Sequence, residues 1–171
     1  MRLEIGNSGR RMDGWVTMDI DDHGNTDIVA DVVEGIPLDD GSCEVVYMSH
    51  VLEHVPWFKT LEVLTEVHRV LSKNGWVEIL VPDGGRIIDA YLDGNTGEDD
   101  WWHENDEHDL DLWLNGRIFS YGPGANWHQT IFSARHLENC LKRAGFSNIT
   151  ETSARDVDHG WINLGRKAQK L

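Results

Sequence analysis

The side chains best suited to chemistry stand together in the run Ser49-His50-Val51-Leu52-Glu53-His54. Imidazoles and a carboxylate at this density can move protons near neutral pH, and two histidines four residues apart can share a metal ion when one helix carries both. The run follows Val45-Val46-Tyr47-Met48, which is apolar and β-prone, and leads into a helix-compatible stretch. In an open α/β sheet, ligands bind beyond the carboxyl ends of the strands, so this polar cluster marks the rim of a site. The same histidines could instead cap the next helix, and the rest of the chain has to decide between the two roles.

Three earlier corners point the same way. A short buried strand predicted over residues 2–6 ends in Gly6-Asn7-Ser8-Gly9, a second over 15–20 ends in Asp19, Asp21 and Asp22, and a third over 27–30 ends at Asp31. Glycines after a first strand let a ligand approach the backbone, and an acidic side chain ending the second strand can accept two hydrogen bonds from a ribose diol. Asp31 is placed to accept from an adenine amino group. Each feature alone is commonly a turn or a cap. Their joint order along the chain is more specific.

The elements that must position these corners can be read from periodicity. After the fourth strand, 44–48, Pro56 opens a helix with Phe58, Leu61, Leu64, Val67 and Leu71 at helical spacing, and Asn74-Gly75 stops it. A fifth strand, 76–81, is closed by Pro82-Asp83-Gly84-Gly85, and a short helix follows near 87–92. A second clear helix starts at the N-cap Ser133, shows Leu137, Leu141 and Ala144 on one face, and ends at Gly145. Segments 149–153 and 161–164 have the size of a closing antiparallel hairpin. The prediction is an α/β fold, a Rossmann-like and mostly parallel sheet with a C-terminal antiparallel hairpin and reduced helices between the first strands.

Composition sets the outer limits. A chain of 171 residues is read as one domain, 1–171, with a core of ordinary size. No apolar run approaches a membrane span, so no membrane partner is expected and a cytoplasmic location is. Cys43 and Cys140 have neither metal nor redox spacing, and neither a disulfide nor a metal-ligand set is assigned. The net charge of -15 disfavours nucleic acid as a partner, since holding a phosphate backbone needs a basic face. Residues 93–111 carry nine carboxylates and no lysine or arginine, a pattern usual for a solvated loop. Segment 93–129 shows no periodicity and is predicted as an irregular insertion on the acceptor side. Its Trp101, Trp102, Trp113 and Trp127 argue against disorder and could either wall an acceptor pocket or fill core.

Leu3-Glu4-Ile5-Gly6-Asn7-Ser8-Gly9, Gly14-Trp15-Val16-Thr17-Met18-Asp19-Ile20, Ser49-His50-Val51-Leu52-Glu53-His54, Val67-His68-Arg69-Val70-Leu71 and Asn74-Gly75 resemble the compact branch of class I S-adenosylmethionine-dependent methyltransferases. The likeness covers roughly residues 1–83 and returns at 128–146, with His128-Gln129-Thr130-Ile131-Phe132 and Ala144-Gly145-Phe146. It implies S-adenosylmethionine as cofactor, held at a corner formed by Glu4, Gly6, Asn7, Ser8 and Gly9. By the same likeness Asp19 would hold the ribose and Asp31 the adenine end, with Ser49 and His50 lining the methionine side or the acceptor. Ser8 stands where the family usually has a second glycine, so its Cβ either crowds the cofactor or requires a different loop path.

Only eight residues, 7–14, join the first strand to the second, too few for a helical crossover, which needs about a dozen. Bare loops are therefore predicted there. They leave a sheet face that a second copy of the chain could cover, and a homodimer is expected. Arg10 and Arg11 in that loop could replace a missing helix N-terminus in meeting the cofactor's carboxylate.

Methyl transfer from a sulfonium is a direct displacement, so alignment and exclusion of water matter most, and a base helps only when the acceptor is a hydroxyl. His50 is the first candidate base and His128 the second, with a small-molecule or sugar-like acceptor. Two other readings stay open. One is a protein that binds S-adenosylmethionine without turnover. The other takes His50-Val51-Leu52-Glu53-His54 as the H-x-x-E-H motif of an inverted zinc peptidase, which needs both histidines on one helix and a third ligand downstream.

Overall fold

The computed structural model describes residues 1–94, 96, 109–120, 127–155 and 160–171. Seven strands, β1 (Arg2–Ile5), β2 (Val16–Asp19), β3 (Ile28–Val29), β4 (Cys43–Ser49), β5 (Leu71–Pro82), β6 (Ser147–Glu151) and β7 (Asn163–Gln169), form one sheet in the order β3-β2-β1-β4-β5-β7-β6. β1 to β5 run parallel, whereas β7 is antiparallel to both β5 and β6. The chain starts in mid-sheet at β1, runs outward through β2 and β3, then returns to the other side of β1 as β4. The strand order therefore reverses between β1 and β4, where an open sheet leaves a crevice for a ligand.

Alternation along the strands separates two faces. Leu3, Ile5, Met18, Val46, Met48, Val77 and Ile79 join the main core, which α1 (Thr60–Val70) covers with Val63, Leu64, Val67 and Val70, and α4 (Ala134–Arg143) with Leu137, Cys140 and Leu141. The α1 helix starts later and stops earlier than its apolar spacing suggests. Lys59 N donates to Pro56 O at 2.7 Å, which keeps Phe58 in a turn and 62% exposed. Leu71 turns extended and pairs with Cys43, so the sheet takes the residue that a longer helix would have used. Ser133 caps α4 as expected, its side chain accepting from His136 N at 3.3 Å.

The other face carries Glu4, Tyr47 and Glu78 in register. The crossovers from β1 to β2 and from β2 to β3 hold no helix, and the chain fills this face with loop residues instead. Trp15 meets Tyr47 edge-on with ring centroids 6.1 Å apart, packing with Met12, Leu80 and Ala154, and the Arg155 guanidinium lies 5.6 Å from the Trp15 ring centroid. Glu78, buried to 2% exposure, pairs with Arg155 and Lys167.

Within segment 93–129, read as irregular, the structure shows a helix over 110–119. Beyond α2 (Gly84–Leu92) a further helix, α3 (Leu110–Phe119), begins at the N-cap Asp109, whose Oδ1 accepts from Asp111 N and Leu112 N at 2.9 and 3.1 Å. Its apolar residues Leu110, Leu112, Trp113, Leu114, Ile118 and Phe119 lie all round the helix, so no stripe announces it. Trp113 packs with Ile87 and Ile162 and stacks on Trp161 at 6.5 Å, so it fills core, whereas Trp127 is 56% exposed. Trp101 and Trp102, with most of the acidic run, lie outside the described residues. The terminal hairpin is longer than expected on its second arm, because β7 pairs with β5 from Pro82↔Asn163 to Trp76↔Gln169.

Candidate functional site

At the carboxyl ends of β1, β2 and β4 lies an open cavity of about 580 Å³. Gly6, Ser8, Asp19 and Asp31, from the first three corners, and His50, Val51, His54 and Gln129 are among the residues that line it. This volume falls within the roughly 300–1,000 Å³ of small-molecule sites. Gly6 has φ +79°, and a Cβ built on it would lie 2.1 Å from Val51 Cγ2. Only a residue without a side chain lets β1 end this close to the turn after β4. Ser8 takes a left-handed φ of +46°, so the loop finds the path that the missing second glycine requires while keeping a side chain at the cavity.

The Ser8 amide donates to Asp19 Oδ2 at 3.0 Å and the Asp21 amide to Asp19 Oδ1 at 3.1 Å. A carboxylate offers about four acceptor positions, so Asp19, fixed by these two amides and lining the cavity, keeps capacity for a diol. Asp31 caps its own turn, Oδ1 accepting from Val33 N at 2.8 Å, and still lines the cavity. Of the roles weighed for Asp31, the turn cap is the one built here, on a residue that also lines the cavity.

Other expected corner residues do not line this cavity. Glu4 is buried on the opposite face of the sheet. Asn7, 1% exposed, donates from Nδ2 to Arg10 O at 2.6 Å and so braces the loop. Gly9 supports the turn beside His23, and Ser49 is held in the sheet opposite Leu80. Arg10 is exposed in the loop, away from the cavity lining. Arg11 pairs with Asp27 at 3.0 and 2.9 Å, which turns its guanidinium toward the β2–β3 loop instead of the cavity.

His50 ends β4 with φ +54°, and its ring lines the cavity. Its Nδ1 lies 3.0 Å from Glu53 Oε1 and its Nε2 3.0 Å from Asn163 Oδ1. Both ring nitrogens thus face protein oxygens, which holds the ring in one orientation at the cavity wall. Leu52–His54 form one 3-10 turn directly after the strand, so the two histidines do not share an α-helical face and the zinc-peptidase geometry is not built.

Segment 127–130 is stapled onto that turn. Gln129 N and Thr130 N both donate to Glu53 O at 2.7 and 3.1 Å, Gln129 Nε2 donates to His54 O at 2.8 Å, and Thr130 Oγ1 to Val55 O at 2.7 Å. The staples bring the His128 ring edge-on to His54 with centroids 5.0 Å apart. His128 lies behind His54, beside Glu53 and Arg117, outside the lining of the large cavity. Burial pushes the His128 imidazole below its ordinary value of 6.5 despite the opposing pull of Glu53, so it is neutral near pH 7. Sequence reasoning missed Val51, Ile20 and the Val32-Val33 pair as cavity walls, since an apolar side chain gives no chemical signal. It also did not foresee that Glu53 is buried, at 1% exposure, under the stapled segment.

Gly-rich corner, acid, acid and polar fourth strand end, set around the reversal of strand order, define a nucleoside-binding doubly wound α/β domain. The chain matches the model of a methyltransferase domain over residues 8–151 and belongs to that family. Its cofactor is S-adenosylmethionine, and the cavity suits it in size and in the acceptor capacity left on Asp19. Similar solved structures agree in fold. A SAM-dependent methyltransferase from Thermotoga maritima aligns with TM-score 0.61 at 14% identity, over 99% of this chain and 82% of the other. One from Aquifex aeolicus aligns with TM-score 0.58 at 15% identity, over 99% and 81%, and one from Archaeoglobus fulgidus with 0.58 at 14%, over 99% and 85%. No curated protein matches the chain. Among the described residues no helix is long and apolar enough to cross a membrane.

Proposed function

We propose that this methyltransferase-family chain methylates a small-molecule or sugar-like acceptor by direct displacement. The observation that supports this reading is the continuity of one cavity from Gly6, Asp19 and Asp31 to His50, His54 and Gln129, which gives donor and acceptor a common space. When bound, S-adenosylmethionine supplies an electrophilic methyl group on a positively charged sulfur. Asp19 and Asp31 orient the nucleoside end through their remaining acceptor positions. The Gly6 corner lets the backbone approach, and Val51, Val55 and Pro56 form an apolar wall that limits water at the reacting centre. His50, anchored by Glu53 and Asn163, orients a polar group of the acceptor. The strong negative charge of the chain fits a small acceptor better than a nucleic acid.

Calorimetry with S-adenosylhomocysteine, followed by transfer assays with a labelled donor over small hydroxyl, amine, thiol and sugar acceptors, tests the reading. Binding together with methylation of at least one acceptor class is expected. Binding without any methylation would favour a non-catalytic S-adenosylmethionine-binding protein, and no binding at about 100 μM would remove both.

A further inference from the structure

Behind the acceptor end of the cavity, Glu53, His54 and His128 place one oxygen or nitrogen ligand atom each within 4.8 Å of one another. Glu53 is 1% exposed, and among the described residues neither of its carboxylate oxygens accepts a hydrogen bond. Oε1 has His50 Nδ1 at 3.0 Å and Arg117 lines the same small pocket, yet Oε2 meets no donor at hydrogen-bond geometry among the described residues. A buried carboxylate in this condition is costly unless a cation or donor meets it. The two histidines are arranged in a way that answers this need. His54 Nδ1 lies 3.2 Å from the carbonyl oxygen of Trp127, and the His128 ring bonds to the backbone of Arg117. A ring nitrogen that donates to a carbonyl fixes the tautomer and leaves the other nitrogen with its lone pair exposed, the usual support for a metal-binding histidine.

We propose that Glu53, His54 and His128 form a site for a divalent transition metal of zinc type, with its open position toward the acceptor end of the cavity. Two imidazoles and one carboxylate are a donor set that zinc accepts, and three protein ligands with one free position is the pattern of sites that bind a further oxygen or sulfur. Zinc bonds of about 2.0–2.2 Å in a tetrahedral site put ligand atoms about 3.4 Å apart, so atoms now within 4.8 Å of one another need approach by at most about 1.4 Å, within reach of side-chain rotation. Main-chain bonds from Gln129 and Thr130 to Glu53 O hold the two segments in place without the metal, so the site is largely preformed. His54 belongs to both the ligand set and the lining of the large cavity. Resting on the methyltransferase reading, the site further implies an acceptor with a hydroxyl or thiol, the groups that such a metal binds and makes more acidic.

The test is titration of chelator-stripped protein with zinc chloride against a competing chromophoric chelator, with cobalt(II) absorption as a second signal. The wild type should take up one equivalent with a Kd below about 1 μM, and both His54→Ala and Glu53→Gln should weaken uptake by about 100-fold or more. Melting curves recorded without metal show whether each variant folds, and His128→Ala replaces either one that does not. Absence of a stoichiometric site in the wild type, or unchanged affinity in two folded ligand variants, overturns the proposal. S-adenosylhomocysteine calorimetry on the same samples separates the two ideas: zinc uptake without nucleoside binding sinks the methyltransferase reading alone, and nucleoside binding without zinc uptake sinks the metal site alone.

Discussion

Replacing Gly6 by alanine adds one methyl group where β1 turns toward the cavity. Two costs follow from the geometry. At φ +79° an L-residue is strained by about 1–2 kcal/mol. In addition the new Cβ would sit 2.1 Å from Val51 Cγ2, and because valine is stiff at χ1, relief requires a rotamer change or a backbone shift, adding about 1–3 kcal/mol. The sum, about 2–5 kcal/mol, lowers Tm by roughly 5–20 °C in a chain of this size. Gly14 supplies the control, with φ +78° and, among the described residues, no atom within 4 Å of an added Cβ, so Gly14→Ala should show only the strain. Since Val51 lines the cavity, its displacement should also weaken S-adenosylhomocysteine binding by at least tenfold, while Gly14→Ala leaves it unchanged. Val51→Ala in the Gly6→Ala background should recover part of both losses. Thermal melts and calorimetry on the four proteins decide the matter. Equal melting losses for Gly6→Ala and Gly14→Ala, with cofactor affinity intact in both, would refute the claim that Gly6 is selected by its approach to Val51.

Asp19→Asn should weaken S-adenosylhomocysteine by about 10- to 100-fold in calorimetry, since hydrogen bonds to an ionised acceptor are worth about 1.5–3 kcal/mol; unchanged affinity would count against a ribose role. Glu78 gives a pH prediction. Burial pushes its carboxyl up, but hydrogen bonds from Arg155 and Lys167 outweigh this and hold it below its ordinary 4.5. The stability it contributes is therefore complete above pH 4.5 and is lost as pH falls through the lower folded value. Arg155→Ala should cost about 2–3 kcal/mol near neutral pH, the low side for a buried pair because Arg155 is 42% exposed and Lys167 remains. It should also flatten the acid limb of the denaturant-melt profile, and parallel profiles for wild type and variant would show that Glu78 is not the titrating group. We also propose that two chains associate through the β3 edge of the sheet, where Val29 is 55% exposed. Light scattering should then give twice the mass of one chain, reduced to one chain by Val29→Lys, and a wild-type monomer at high concentration would dispose of the idea.

The four corners that build the cavity were legible because each depends on local pattern alone. A strand buried on both faces reads as an apolar run, and a polar or glycine residue at its end is placed by the strand itself, as Gly6, Asp19, Asp31 and His50 all are. What stayed hidden depends on contacts between distant segments. Glu53 looks like a helix-face carboxylate until the amides of Gln129 and Thr130 bind its carbonyl and segment 127–130 encloses it. Arg11 looks free for a cofactor carboxylate until Asp27 takes it. α3 is hidden for another reason, since its burial rests on Trp113 and Gly116 and no amphipathic stripe is needed.

The same distinction explains how the sheet does without helices in its first crossovers. A crossover helix fixes a loop by satisfying its own backbone, and a bare loop leaves those groups to side chains. Here Asn25 Nδ2 donates to Gly9 O at 2.7 Å, tying the first loop to the second, and Thr17 N and Oγ1 both donate to Asp27 Oδ2 at 2.9 and 3.2 Å. From α1, Arg69 reaches across the third connection, donating to Ile36 O, Leu38 O and Asp40 Oδ1 at 2.8, 2.8 and 2.7 Å. One long side chain thus takes over carbonyls that a helix would have bonded internally. Polar residues at and after the ends of β1 and β2 therefore include some that line the cavity, among them Ser8, Asp19, Asp21 and His23, and others that only hold the loops in place, Asn7, Asn25 and Asp27. Residue type alone cannot sort them, because an asparagine or aspartate at a strand end serves either purpose until its partner is known.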